Sequence, residues 1–101
     1  MSEAARFAID ADHPALPGHF PGRPVVPGVV VLDRVLAAIE AAHGQLAALR
    51  LPQVKFVRPL LPGEAARIAL EPLAASADGA PRWRFRVLHE EAVVATGEVS
   101  G

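Results

Sequence analysis

Of the side chains in the first third of the sequence that can move protons, His19 and Asp33 are the pair whose surroundings suit chemistry. Histidine titrates near neutrality, so His19 can take a proton from carbon and later release it. A carboxyl group can donate a proton if burial keeps it protonated. Asp33 falls on what reads as the second turn of an apolar helix, where an unpaired ionised carboxylate is costly. Gly28 stands where that helix begins. A helix N-terminus offers backbone N–H groups without partners and the positive end of the helix dipole. With no side chain at this position, a bound group can approach closely. A base, an acid and a place for developing negative charge together suit proton removal beside a carbonyl, with protonation of a departing hydroxyl.

Each residue also has a plainer reading. Alone, His19 is a loop histidine with a local hydrogen bond, and Asp33 a solvated or capping acid. The apolar residues around Asp33 argue against its full exposure. His43 reads as a cation at a helix C-terminus, and His89 as a turn residue. His13 has no motif around it. No His/Asp/Glu set has the spacing of metal ligands, so neither a metal nor a cofactor is expected.

The elements that must hold these groups follow from composition and periodicity. Arg6 to Asp10 predicts a short first strand. Residues 11–28 hold five prolines and three glycines, which rules out a regular element. A loop this long in a small domain is usually functional. Pro27-Gly28 suits a helix start, and the helix runs from about Val29 to His43, ended by Gly44. Its apolar residues cover nearly the whole circumference, which predicts a helix buried all round. Something in the chain must therefore wrap around it. Leu49–Arg58, Ala65–Leu73, Arg82–Leu88 and Ala92–Val99 read as four strands in hairpin order. Turns fall at Leu60-Leu61-Pro62-Gly63, Asp78-Gly79 and Glu90-Glu91. In the third of these strands, Trp83, Phe85 and Val87 alternate with Arg82, Arg84 and Arg86. The expected architecture is α+β, an antiparallel sheet curled around one helix.

At 101 residues the chain fits one domain, 1–101. With 51% hydrophobic residues it can build a core, and a net charge of −1 gives no sign of nucleic acid or membrane binding. Cysteine is absent, which removes disulfides and thiolate metal sites and fits a reducing compartment. The N-terminal residues carry charges of both signs without a long apolar run, so they do not read as a signal peptide. A soluble, cytoplasmic protein is expected.

The segment His19-Phe20-Pro21-Gly22-Arg23-Pro24-Val25-Val26-Pro27-Gly28, with Asp33 five residues further on, resembles a family signature. It is that of the hot-dog-fold 3-hydroxyacyl-acyl-carrier-protein dehydratases. Lys55-Phe56-Val57-Arg58-Pro59-Leu60-Leu61-Pro62-Gly63-Glu64 is similar to a second block of that family. The resemblance implies a hot-dog fold of about five strands around one long central helix. It implies loss of water from a 3-hydroxyacyl thioester to give a trans-2-enoyl thioester. His19 would be the base, Asp33 the acid, and the Gly28 N–H the donor to the thioester oxygen. Phe20, Pro21, Gly22, Pro27 and Val29 would contact substrate. The implied partners are acyl carrier protein and a second chain, in a homodimer or a multiple of dimers. His19 of one chain would then share a site with Asp33 of the other.

The resemblance has two departures. Ala37 stands where the family commonly has a glutamine that orients the acid, and the chain, shorter than most fatty-acid enzymes, has no tyrosine to gate a tunnel. Short length with aspartate as the acid looks like the ApeI-like accessory dehydratases of aryl polyene synthesis. Two other readings stand beside the dehydratase. One is a hot-dog acyl thioesterase, which does not need the His-Phe-Pro-Gly element. The other is a non-catalytic acyl-thioester-binding or heterodimer partner. The stripe of Arg82, Arg84 and Arg86 is either the solvated face of a strand or, with Arg23, a dock for an acidic carrier protein.

Overall fold

The computed structural model describes residues 2–13 and 25–101. Its elements are β1 (Ser2–Phe7), α1 (Gly28–His43), β2 (Arg50–Phe56), β3 (Ala66–Leu73), β4 (Arg82–His89) and β5 (Ala92–Ser100). The five strands form one antiparallel sheet in the order β1-β3-β4-β5-β2. α1 lies against its concave side, as expected of the hot-dog fold.

The alternation read in β4 sets the inner face. Trp83, Phe85 and Val87 are buried, while Arg84 and Arg86 are exposed. Ile68 on β3, Val94 and Val99 on β5, and Val31, Val35 and Ile39 on α1 complete the centre of the core. Gly97 lets β2 and the Phe85 ring close on β5. A Cβ there would meet the Gln53 carbonyl and stand 2.9 Å from the ring. The outer face carries ion pairs: Arg82 to Glu98 at 3.2 Å and Arg84 to Glu71 at 3.1 Å.

Three expectations need correction. First, the four later strands are not in hairpin order. β3, β4 and β5 are successive neighbours, but β2 pairs with β5 at the far edge. Alternation shows that a segment is a strand and which face it buries, but it does not name its partner. The stretch 57–65 therefore crosses from β2 to β3, three strand spacings or roughly 14 Å, and Leu60–Gly63 belongs to that crossing.

Second, α1 is buried on one face only. Val30, Val31, Val35, Ala38 and Ile39 are inside, while Val29, Asp33, Ala37, Ala41 and Ala42 are exposed. A single sheet covers one side of a helix, and most of the apolar residues on the open side are alanines.

Third, β1 begins and ends earlier than expected. Ser2–Phe7 pairs with β3 despite its weak strand composition, because β3 supplies the ladder. Ile9 is buried beyond its end, and its carbonyl accepts a hydrogen bond from the Gly63 N–H at 2.8 Å.

Candidate active site

The first turn of α1 is built for a close approach. Pro27, with φ −59° and ψ 143°, stands just before the helix, and its carbonyl accepts from the N–H groups of Val30 at 3.0 Å and Val31 at 3.3 Å. Among the described residues no side chain caps this end, and the first turn has no acidic residue. Among the described residues nothing accepts from the Gly28 N–H. The positive end of the helix is therefore not neutralised by those residues, and none of them engages the Gly28 N–H.

A cavity of about 410 Å³ opens beside this end. Val25, Val26, Pro27, Gly28 and Val31 form one side; Phe56, Val57, Arg58, Pro59, Leu60 and Val94 form the other. The two sides are stitched together where the Val26 N–H donates to the Leu60 carbonyl at 2.8 Å. The crossing stretch is held to β5 by the Val57 N–H on the Val94 carbonyl, also at 2.8 Å. Below Leu60, the Leu61 N–H donates to the Glu64 carboxylate at 2.8 Å, and the other oxygen of that carboxylate lies 3.1 Å from His89 Nε2. His89 Nδ1 lies 2.7 Å from the Ala65 carbonyl. His89 is thus more than a turn residue: it fastens the crossing stretch to the end of β4.

The residues lining the cavity are apolar apart from Arg58, and Gly28 brings the helix end to its wall. It suits an acyl chain with one polar group presented to the helix end. One aspect of Gly28 differs from the reading of an open approach. The space a Cβ would fill is taken by the Phe56 ring, whose Cζ lies 2.6 Å from that position. Phe56 is nonetheless 50% exposed.

Of the residues expected to act, Gly28 and Pro27 line the cavity. Asp33 does not line the cavity of its own chain. It is exposed on the open side of α1, and no hydrogen bond or ion pair engages it among the described residues. Val29, 66% exposed, is likewise absent from the cavity walls of its own chain. His19, Phe20, Pro21, Gly22 and Arg23 lie outside the described residues. Of the arginine stripe, Arg82 and Arg84 are tied to Glu98 and Glu71, whereas Arg86 has no ion pair among the described residues. The walls supplied by Phe56 to Leu60 were not predicted individually. Their signal was the second family block, which spans them.

Comparisons with known proteins bear on the family and the fold. A family model described as ApeI-like, ApeI dehydratase, matches residues 2–98. The 3-hydroxyacyl-(acyl-carrier-protein) dehydratase FabZ of Desulforamulus reducens is 34% identical over 73 residues, covering 64% of this chain and 51% of that protein. The FabZ of Pelotomaculum thermopropionicum is 34% identical over 76 residues, covering 62% and 51%. The chain spans about half the length of the curated relatives it matches. Among solved structures, the dehydratase heterocomplex ApeI:P from Xenorhabdus doucetiae has the same fold, with TM-score 0.68 and 20% identity over 94% of this chain and 81% of that one. Together with the match over residues 2–98, the motif places the chain in the ApeI-like dehydratase family.

Proposed function

We propose that this chain removes water from a 3-hydroxyacyl thioester on acyl carrier protein, giving the trans-2-enoyl thioester, and that it does so in the cytoplasm as a single hot-dog domain paired with a second copy. The observation that carries this reading is the apolar cavity beside the helix end at Gly28, which no described side chain caps, in a chain with the complete family motif. Among the described residues no helix is long and apolar enough to cross a membrane.

In the proposed reaction, His19 takes the proton from the carbon beside the carbonyl. The electron pair left behind forms the new carbon–carbon double bond, and the bond from the next carbon to its hydroxyl breaks. That hydroxyl leaves with the proton of Asp33, as water. Negative charge on the thioester oxygen is held by the Gly28 N–H and the helix dipole. Phe20, Pro21, Gly22, Pro27 and Val29 are the proposed substrate contacts.

Pairing is favoured by the surface. Asp33 faces away from its own chain's cavity, on the open side of α1. Leu49, Leu51, Phe56 and Val57, on or beside β2, are exposed large apolar residues. A two-fold partner covering both regions would enclose Asp33 and create two equivalent sites. Arg58, at the cavity wall, is better placed to meet an acidic carrier than Arg82 or Arg84, whose charges are partly cancelled by Glu98 and Glu71.

The test mixes two inactive variants, His19→Ala and Asp33→Asn, and lets subunits exchange. If each site takes one group from each chain, a mixed dimer has one intact site. Random pairing then returns roughly a quarter of the original activity. No recovery despite proven mixed dimers would rule out shared sites. Enoyl absorbance and free thiol are followed together, so thioester hydrolysis would be recognised at once.

A further inference from the structure

We propose that Phe56 determines which acyl groups the cavity accepts, by excluding substituents on the carbon beside the thioester carbonyl. This deepens the dehydratase reading and rests on it. The carrying observation is the contact between two segments distant in sequence. The Phe56 ring fills the space where a Gly28 side chain would stand, with Cζ at 2.6 Å and the two Cε atoms at 3.0 and 3.1 Å from the Cβ position. The missing Cβ and the amide nitrogen would both be bonded to the same Cα. In a helix the Cβ and the N–H both point toward the N-terminus, so in this proposal an oxygen held by that N–H at about 2.9 Å sits on the side of Gly28 that the ring covers. The carbonyl carbon and its neighbour sit just beyond that oxygen, against the same aromatic surface.

The ring is a wall of the cavity, yet it is half exposed and stands at the end of an edge strand. It is not a core residue whose loss would empty the centre of the fold. The far walls, Val31, Leu60 and Val94, are buried and meet the rest of the chain. Phe56 thus limits width at the reacting end and leaves length to the other walls. A linear acyl group passes beneath the ring, and a methyl branch beside the carbonyl collides with it.

The experiment compares the native protein with Phe56→Leu and Phe56→Ala. Substrates are 3-hydroxyacyl pantetheine thioesters, which avoid any effect on carrier docking. One series is linear and of increasing length; the other carries a methyl branch beside the carbonyl. One methylene in an apolar pocket changes kcat/KM by roughly 10- to 200-fold. The branched-to-linear ratio should rise at least about tenfold in Phe56→Ala and less in Phe56→Leu, while the order along the linear series stays the same. An equal loss on both series would make Phe56 merely structural. A gain confined to longer linear chains would place the ring at the tail. Either result overturns the proposal. If the native protein dehydrates nothing, the dehydratase reading fails by itself. The role of Phe56 is then read from calorimetric binding of stable acyl-pantetheine amides, linear and branched. An unchanged binding ratio in folded Phe56→Leu and Phe56→Ala would overturn it. Circular dichroism verifies folding of each variant, and Phe56→Leu serves if Phe56→Ala does not fold.

Discussion

Replacing Gly28 with alanine should have opposite effects on stability depending on what residue 56 is. Gly28 has helical geometry without a positive φ. On backbone grounds Gly28→Ala should therefore stabilise the fold by about 0.4–1 kcal/mol, chiefly by restricting the unfolded chain. Against this, the new Cβ would stand 2.6 Å from Phe56 Cζ, so ring or helix end must move. Overpacking of this kind costs about 1–3 kcal/mol. The ring is 50% exposed and can yield, which puts the cost toward the lower part of that range. The net effect in the native background is a loss of roughly 0–2 kcal/mol. In the Phe56→Ala background the obstacle is gone, and Gly28→Ala should gain roughly 0.4–1 kcal/mol. Urea denaturation of the four proteins at one fixed concentration closes the cycle, since the proposed pairing would make stability depend on concentration. The expected coupling is about 1–3 kcal/mol, or on the order of 4–8 °C in Tm per kcal/mol for a domain this size. If Gly28→Ala shifts stability equally in both backgrounds, the ring does not occupy the space over Gly28, and the argument for its control of substrate width loses its basis.

Other expectations concern separate parts of the molecule. His19→Ala and Asp33→Asn should each lower dehydration by at least about 10²-fold with the circular dichroism spectrum unchanged; full activity in either folded variant removes that residue from the chemistry. Gly97→Ala should cost about 1–3 kcal/mol or more in urea denaturation, because the added methyl meets the Gln53 carbonyl and the Phe85 ring; a neutral result would mean β2 is not held that close. Arg84→Ala should change stability by less than about 1 kcal/mol, its ion pairs being half exposed, and a larger loss would show that the outer face contributes more than its exposure allows. The Asp78 carboxyl is held below the ordinary aspartate range by the Ser76 hydroxyl and then by the Ala80 N–H. Because the folded value is the lower one, this contribution is complete above about pH 4 and is lost as pH falls further; the protection of the Ala80 amide, taken relative to its intrinsic exchange rate at each pH, should fall in that window, and unchanged protection would contradict it.

Local pattern carried much of the fold. β4 was legible because its inward residues are large and its outward ones are arginines, and α1 because Pro27-Gly28 and Gly44 bracket an apolar run. The Gly44 N–H indeed closes the helix on the Glu40 carbonyl at 2.8 Å. The placement of β2 was not legible, since Val54 and Phe56 alternate the same way whichever strand lies alongside. The one-sided burial of α1 was hidden because periodicity counts Ala37 and Ala41 as apolar, although their small surfaces stay in water at little cost. Gly28 was recognised as a place of close approach. That the approaching group is Phe56 depends on the path of 57–65 across the sheet, which no local pattern encodes.

The two outer strands bear on the chain's fate before it meets a partner. β2 carries Pro52, which has no N–H to offer, and its register breaks between Arg50 and Gln53. β1 breaks register between Glu3 and Ala5 and displays Glu3 and Arg6 as an ion pair at 2.9 Å. An edge interrupted in this way is a poor template for a stray strand. For a single chain whose apolar patches are uncovered, such edges disfavour the strand-to-strand stacking from which fibrils grow. Under the proposed pairing, association then depends on the shape of a matching surface and not on indiscriminate strand pairing.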